Sequence, residues 1–332
     1  MEHTISQATD LTKPFIFDEA GLKKLSSGGK GRFKAGHNGV EKIVGTADGK
    51  AEFVCFDDGD VISYVHSQMG YPAMYPLLPC TIEKPVKAVL MDLDGTSVKS
   101  EEFWIWVIQQ TTAALLDNPK FELEEADLPF VSGHSVSEHL QHCIVKYCPD
   151  KTVEEARDHY FAITSREMKA ILDGTGRADA FIPTEGLKDF LLTLKSKDIK
   201  LGLVTSGLYE KAWPEIYAAF KQLDMGDPRE FYDAIITAGY AIRKGQVGTL
   251  GELEPKPHPW LYAETARVGL GIDFADRSRV VGMEDSGAGV VSVRLAGFGC
   301  LGVDDGNIRQ TGTLGLCSAF CKSLDEALTV IL

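Results

Sequence analysis

Four sets of polar residues in the sequence have side chains suited to a phosphoryl group and a divalent cation. In chain order they are Asp92 and Asp94, Thr205, Lys256, and the adjacent Glu284 and Asp285. Carboxylate oxygens are hard ligands that suit Mg²⁺, and a cation screens the repulsion between a carboxylate and a phosphate anion. A lysine, a hydroxyl and the backbone amides after Asp94 suit the remaining phosphate oxygens. These residue types therefore indicate phosphoryl chemistry.

Apolar segments precede three of these sets and predict the strands that position them. The predicted strands are Val86–Met91, Lys200–Val204, Ala234–Thr237, Val280–Met283 and Cys300–Val303. Helical patterns lie between them, and this alternation is typical of an α/β fold with a parallel sheet and helices on both faces. Active sites of such sheets lie beyond the carboxyl ends of the strands, so we expect the four sets to converge at one edge.

Two further segments differ from this core. Residues 99–184 contain helical runs such as "EEFWIWVIQQTTAALL", which are too long for one crossover and predict an inserted α-helical cap that acts as a lid. Residues 1–85 contain the turns Asp48-Gly49 and Asp58-Gly59, which predict a small antiparallel β-meander at about 41–66. The predicted parts are an N-terminal β-containing extension at 1–85, a catalytic core at 86–98 and 185–332, and the cap at 99–184.

The composition argues against several classes of protein. A formal charge of −14 disfavours nucleic acid or an anionic membrane surface as the main partner, since both need a basic face. The seven cysteines are spread thinly and do not resemble a disulfide framework. The N-terminal "MEHTISQATDLTK" lacks the pattern of a signal peptide, and no apolar run is long enough to span a membrane. These features predict a cytoplasmic protein.

Four motifs carry a resemblance to a known family. In order, "DLDGT", "LVTSG", "KPHPWLY" and "GMEDSGAGV" resemble the motifs of the haloacid-dehalogenase-like hydrolase superfamily, in its phosphatase and phosphomutase branch with a helical (C1-type) cap. The resemblance covers about residues 86–332 and implies a Rossmann-like core. It implies that Asp92 is the nucleophile that becomes an aspartyl phosphate. It also implies that Asp94 protonates the leaving oxygen and then activates water.

The resemblance implies a cofactor as well, namely Mg²⁺. Asp92, the Asp94 carbonyl oxygen and Asp285 would hold the ion, and Glu284 would be a direct ligand or a partner of one.

Phosphate and substrate contacts follow from the same resemblance. Thr205 and Lys256 would bind phosphate oxygens, with Ser206 as a competitor for the role of Thr205. His134 lies where cap loops of this family contact the substrate, although a surface or core histidine is the alternative interpretation.

The predicted function is Mg²⁺-dependent hydrolysis of a phosphomonoester on a small phosphorylated metabolite. The alternative is a sugar-phosphate mutase resembling beta-phosphoglucomutase. Those mutases carry a cap histidine and a cap arginine at positions where this sequence has Trp104 and Val136. A phosphonate hydrolase is disfavoured, because such members usually have a small residue at the position of Asp94. Lys99 stands where many members carry an aspartate, and it either pairs with a surface glutamate or meets an anionic substrate.

One alternative interpretation comes from another class of protein. Signalling receiver domains also surround a phosphoacceptor Asp with acidic residues, but there the acidic pair precedes the phosphoacceptor. Here Glu284 and Asp285 follow Asp92, which disfavours that class.

For the N-terminal extension we favour packing on the core or a homo-oligomer contact over a second catalytic site.

Overall fold

The computed structural model describes residues 10–66, 72–131, 136–177, 179–239, 254–304 and 306–332. The chain divides into two compact units. One contains Met1–Ser97, Glu185–Tyr209 and Asp227–Leu332, and the other contains Val98–Thr184 and Glu210–Gly226. Among the helices of the described ranges, none has both the length and the apolar character needed to cross a membrane.

The strands are numbered in chain order. They are β1 (Lys23–Leu25), β2 (Ser27–Gly28), β3 (Phe33–Lys34), β4 (Val40–Gly45), β5 (Ala51–Phe56), β6 (Val61–Val65), β7 (Ala73–Pro76), β8 (Ala88–Asp92), β9 (Val98–Lys99), β10 (Ile182–Pro183), β11 (Lys200–Leu208), β12 (Ala234–Gly239), β13 (Val280–Glu284), β14 (Gly299–Val303) and β15 (Ala319–Cys321).

The α-helices are numbered in the same way. They are α1 (Glu101–Leu115), α2 (Val136–Tyr147), α3 (Val153–Leu172), α4 (Leu187–Ser196), α5 (Tyr209–Gln222), α6 (Pro228–Phe231), α7 (Trp260–Glu264), α8 (Gly287–Leu295), α9 (Ile308–Thr311) and α10 (Leu324–Ile331). Short 3-10 segments occur at Glu125–Phe130, Phe274–Arg279 and Thr313–Leu316, and a π turn follows α7 at Thr265–Gly269.

A six-stranded sheet with the order β12-β11-β8-β13-β14-β15 forms the centre of the first unit. All five pairings are parallel. Every residue of β8, β13 and β14 is buried, which explains why these strands read as continuous apolar runs in the sequence. The parallel arrangement brings the carboxyl ends of β8, β11 and β13 to the same edge.

Strand β11 is longer than the predicted Lys200–Val204, because it continues through an irregularity. Its pairing with β12 shifts register between Thr205 and Leu208. The Gly207 N–H donates to the Thr205 hydroxyl at 2.9 Å, and Ser206 is left exposed. The irregularity therefore places two hydroxyl-bearing residues at the edge where β8 ends.

The N-terminal residues form a five-stranded antiparallel sheet in the order β1-β4-β5-β6-β7. Gly49 and Gly59 occupy the two predicted Asp-Gly turns with φ of 71° and 93°, a conformation that glycine adopts at little cost. Buried residues of this sheet belong to the same apolar core as residues of the parallel sheet and of α7. They are Val44, Ala51, Phe53, Cys55 and Val61.

A buried arginine joins the N-terminal residues to the core. Arg294 of α8 is fully buried, and its guanidinium donates to the carbonyl oxygens of Ile16, Leu78 and Leu316 at 2.5, 3.4 and 3.1 Å. A second link is the hydrogen bond from the Ala47 N–H to a carbonyl in α9 at 2.9 Å. The N-terminal residues are thus packed on the core within the first unit.

The second unit is built from helices α1, α2 and α3, which pack on one another, and from α5 after Tyr209. Helix α3 begins with a capping box, in which the Thr152 hydroxyl and the Glu155 carboxylate each accept from the backbone N–H of the other. The short strands β9 and β10 pair antiparallel, where the module begins and ends. The division of the chain at residues 99–184 stays a prediction, and the second unit also includes Glu210–Gly226.

Candidate active site

Asp92 is the last residue of β8 and lies opposite Val204 of β11. It is 5 % exposed, and the Ser97 hydroxyl donates to its carbonyl oxygen at 2.6 Å. The chain between them turns at Gly95, whose φ is +80°. A Cβ at Gly95 would overlap the Asp285 carboxylate, so this close approach requires glycine. The turn therefore brings the ends of β8 and β13 together.

Lys256 is the cation at the centre of the site. Its Nζ lies 2.5 Å from Asp92 Oδ1 and 2.5 Å from Glu284 Oε1, and its side chain is 7 % exposed. Burial lowers the pKa of Lys256, but the charges of Asp92 and Glu284 outweigh burial and raise the pKa above its usual value. The lysine is therefore held charged between the two carboxylates.

Glu284 is fully buried at the end of β13. Besides Lys256, its Oε1 accepts from the Tyr262 hydroxyl at 2.5 Å, and its Oε2 accepts from the Ser286 hydroxyl at 3.1 Å. A Cβ at Gly289 would overlap the Glu284 carboxylate, which explains the small residue in "GAGV". Both oxygens of Glu284 are thus engaged with donors from this chain.

Three carboxylates lie close enough to share a cation. Ligand atoms of Asp92, Glu284 and Asp285 all lie within 4.8 Å of one another. Burial and the neighbouring Glu284 raise the pKa of Asp92 well above its usual value and that of Asp285 to about 8. Lys256 supplies one positive charge against three buried carboxylates, so the cluster is short of positive charge. Hard oxygen donors with this charge deficit fit Mg²⁺.

The other predicted contacts are placed as follows. Asp94 is partly exposed beside the cluster, and its charge contributes to the raised pKa of Asp92 and Asp285. Thr205 is 1 % exposed at the level just past Asp92. The Ser206 hydroxyl accepts from the backbone N–H of Lys256 at 3.2 Å. His134 lies outside the residues that the structure describes.

Three residues of the helical unit stand where the sequence departs from the expected family pattern, and their surroundings differ. The Trp104 ring packs against Phe103 and Phe181, and Lys211 Nζ lies 4.5 Å from its centroid. Lys99 is exposed in β9. The first residue of α2, Val136, is half-buried.

Sequence reasoning missed Tyr262, His258 and Tyr75. Nothing in "HPWLY" marks Tyr262 as the hydrogen-bond partner of a carboxylate, because a tyrosine at a helical position most often packs in a core. His258 is 2 % exposed, and its Nδ1 lies 2.7 Å from the Tyr75 hydroxyl. Their separation of 183 residues gives a single sequence no local signal for the contact.

Comparison with known proteins shows what the central part of the chain is similar to. Residues 89–238 match the family model described as haloacid dehalogenase-like hydrolase. The predicted resemblance to the haloacid dehalogenase-like superfamily is confirmed. No curated protein is significantly similar to the chain.

Solved structures share the fold of this chain. One is the D10N mutant of CbbY from Rhodobacter sphaeroides in complex with xylulose-(1,5)bisphosphate, with 22 % identity, a TM-score of 0.54 and coverage of 73 % of this chain and 96 % of that chain. Another is a predicted phosphoglycolate phosphatase from Haemophilus somnus, with 16 % identity, a TM-score of 0.54 and coverage of 74 % and 98 %. They confirm the α/β fold with a Rossmann-like parallel sheet.

Proposed function

We propose that the protein is a Mg²⁺-dependent phosphomonoester hydrolase that acts through an aspartyl phosphate on a small phosphorylated metabolite. One observation carries this proposal, namely the Asp92 carboxylate held by Lys256 beside Asp285, with Asp94 two residues further on. Residues suited to the roles of nucleophile, phosphate-binding cation, acid and metal ligand thus lie together at one sheet edge, which supports the proposal.

In the proposed first step, a carboxylate oxygen of Asp92 attacks phosphorus. A P–O bond to Asp92 forms, the P–O bond to the leaving alcohol breaks, and Asp94 donates a proton to the leaving oxygen. In the second step the Asp94 carboxylate takes a proton from water, whose oxygen attacks phosphorus. Inorganic phosphate leaves, and the Asp92 carboxylate is restored.

In this scheme the remaining residues bind the cation and the phosphate group or position Lys256. Asp92, the Asp94 carbonyl oxygen and Asp285 would hold Mg²⁺, which neutralises the negative charge of the phosphoryl group when bound. Lys256 and the Thr205 hydroxyl bind phosphate oxygens. Because both oxygens of Glu284 already accept hydrogen bonds, we assign to Glu284 the positioning of Lys256.

The second candidate is a sugar-phosphate mutase. The structure of CbbY with xylulose-(1,5)bisphosphate shows a neighbour in fold with a sugar bisphosphate. Trp104 and Val136 stand where the mutases carry histidine and arginine, which favours the hydrolase. Sugar phosphates nevertheless belong in the substrate panel, and mutase activity is measured there as isomerised sugar phosphate without release of inorganic phosphate.

The test of the proposed function is the substitution Asp92→Asn, which removes the nucleophilic oxygen with little change of shape. We expect the parent protein to release inorganic phosphate from an aryl phosphate when MgCl₂ is present. We expect the variant to lose at least about 1,000-fold in kcat, because no covalent route remains.

The matched control is Asp60→Asn, at an exposed carboxylate in a turn of the N-terminal sheet. It should keep the parent rate. Turnover by Asp92→Asn at a rate near that of the control would refute Asp92 as the nucleophile. A panel of phosphorylated metabolites then identifies the substrate.

A further inference from the structure

Tyr75 of β7 connects the N-terminal sheet to the loop that carries Lys256. Its hydroxyl lies 2.7 Å from Nδ1 of His258, two residues after Lys256. Its ring meets those of His258 and Trp260 edge-on, with centroid distances of 5.8 and 6.3 Å. A residue of the N-terminal sheet thus contacts the loop of the candidate active site directly.

His258 anchors that loop through three groups. Its backbone oxygen accepts from the Ser292 hydroxyl of α8 at 2.5 Å, and its backbone N–H donates to the Pro255 carbonyl at 3.1 Å. Its imidazole is the third group, and Tyr75 is its hydrogen-bond partner. In the part of the chain that the structure describes, the buried Nε2 has no hydrogen-bond partner, since Glu254 Oε2 lies 3.9 Å away. Among the described residues, the Tyr75 hydroxyl is therefore the hydrogen-bond partner that orients the buried ring.

Lys256 itself is held at its backbone N–H and at its Nζ. Its backbone N–H donates to the hydroxyl of the exposed Ser206 at 3.2 Å, and its Nζ spans Asp92 and Glu284. Both Nζ distances are 2.5 Å, so a displacement of the loop by a fraction of an ångström would change them. Small misplacements of a charged group at a reaction centre cost rate.

We propose that Tyr75 is a positioning residue, which orients His258 and through it fixes the loop that presents Lys256. The effect on catalysis rests on the proposed function of Lys256 as the phosphate-binding cation. The effect on the loop does not, and it can be measured separately.

The variant Tyr75→Phe keeps the ring and removes the hydroxyl. Its control is Tyr64→Phe in β6 of the same sheet, where a tyrosine is 3 % exposed and packs its ring against His66. Without the hydrogen bond, kcat/KM for an aryl phosphate should fall roughly fivefold, the equivalent of one ordinary hydrogen bond. The inhibition constant of inorganic phosphate should rise by a similar factor, and Tyr64→Phe should change neither value.

Hydrogen exchange of the full-length protein tests the loop without reference to activity. In Tyr75→Phe the backbone amides of residues 254–264 should exchange roughly fivefold faster, while Tyr64→Phe leaves them unchanged. If the parent protein hydrolyses no phosphate ester, the proposed function fails, and exchange alone decides the role of Tyr75. Unchanged exchange in Tyr75→Phe, or equal acceleration in Tyr64→Phe, overturns the inference.

A double-mutant cycle separates positioning from general destabilisation. If Tyr75 acts through His258, the losses of kcat/KM in Tyr75→Phe and His258→Ala should not add in the double variant. Additive losses would mean that the two side chains act independently, and the inference would then be wrong.

Discussion

Asp285 is the residue on which we expect a bound cation to have the most direct effect. It is 8 % exposed, the Thr96 hydroxyl donates to its Oδ1 at 3.4 Å, and Asp92 and Glu284 lie beside it. Lys256 is already engaged by those two carboxylates. The ionised form of Asp285 is therefore the part of the cluster that this chain balances least, in keeping with its raised pKa.

Mg²⁺ should stabilise the protein through Asp285. A ligand that binds only the folded state raises the melting temperature, and at ten times the dissociation constant the rise is on the order of 2 °C. We expect this rise in the parent protein and its loss in Asp285→Asn, as measured by a thermal melt with and without MgCl₂.

The control for this measurement is Asp273→Asn, at an exposed carboxylate outside the cluster. It should keep the full response to MgCl₂. An equal response in Asp285→Asn would remove Asp285 from the proposed metal ligands, whatever the activity of the protein.

At the scale of elements, one carboxylate ties the 3-10 segment Glu125–Phe130 to helix α2. Asp127 is fully buried and accepts from His142 Nε2 at 2.8 Å, Lys146 Nζ at 2.8 Å, the Tyr147 hydroxyl, and the backbone N–H of Glu124 at 3.0 Å. Burial alone would raise the pKa of Asp127. The hydrogen bonds from Lys146, Tyr147 and His142 outweigh burial and hold the pKa well below its usual 3.8.

Asp127→Asn should therefore destabilise the helical unit in a pH-dependent way. Loss of the charged acceptor should lower the free energy of unfolding by about 2 kcal/mol at pH 7. Because the folded pKa is depressed, the stabilising effect is complete above about pH 4 and is lost as the pH falls further. Denaturant melts between pH 7 and pH 3 should show the difference between parent and variant shrinking at low pH.

Asp158→Asn on the exposed face of α3 is the matched control, with a carboxylate in the same unit. Its difference from the parent should be small and nearly constant with pH. A constant difference for Asp127→Asn would show that the charge of Asp127 does not stabilise the unit.

Elements with a local signal could be predicted from sequence, and contacts between distant residues could not. The two Asp-Gly turns and the apolar runs of β8 and β13 each show a pattern within a few residues. Both sheets, and the edge of the parallel sheet where β8 and β13 end, could therefore be predicted. The register irregularity in β11 depends on pairing with β12, which no local pattern in β11 encodes. Tyr262 and His258 gained roles only through partners far away in the chain.

At the scale of the whole molecule, Arg294 shows why the N-terminal sheet is part of the core. Arginine is almost never fully buried, so the sequence gives no reason to expect it here. The guanidinium satisfies backbone carbonyls on both sides of the junction. Whether the sheet also forms a homo-oligomer contact stays a prediction.

Arg294→Met should weaken the packing of the N-terminal residues on the core. The variant leaves the Ile16 and Leu78 carbonyls without this donor, so the free energy of unfolding should fall by about 3 kcal/mol. Arg309→Met, at an exposed arginine that covers the Phe320 ring, should cost far less. A denaturant titration measures both, and equal stabilities for the two variants would contradict the structural role of Arg294.

The junction made by Arg294 also sets an order of events during synthesis. The N-terminal sheet has mostly local pairings and can form as soon as it leaves the ribosome, but Arg294 follows Ile16 by 278 positions. The sheet is complete once β7 has ended at Pro76, and at about 5–20 residues per second the chain from there to Arg294 takes roughly 11 to 44 s to make, during which the apolar face lacks its cover. A nascent chain of this protein thus carries an exposed apolar surface through most of its translation, and we expect chaperones to bind it there.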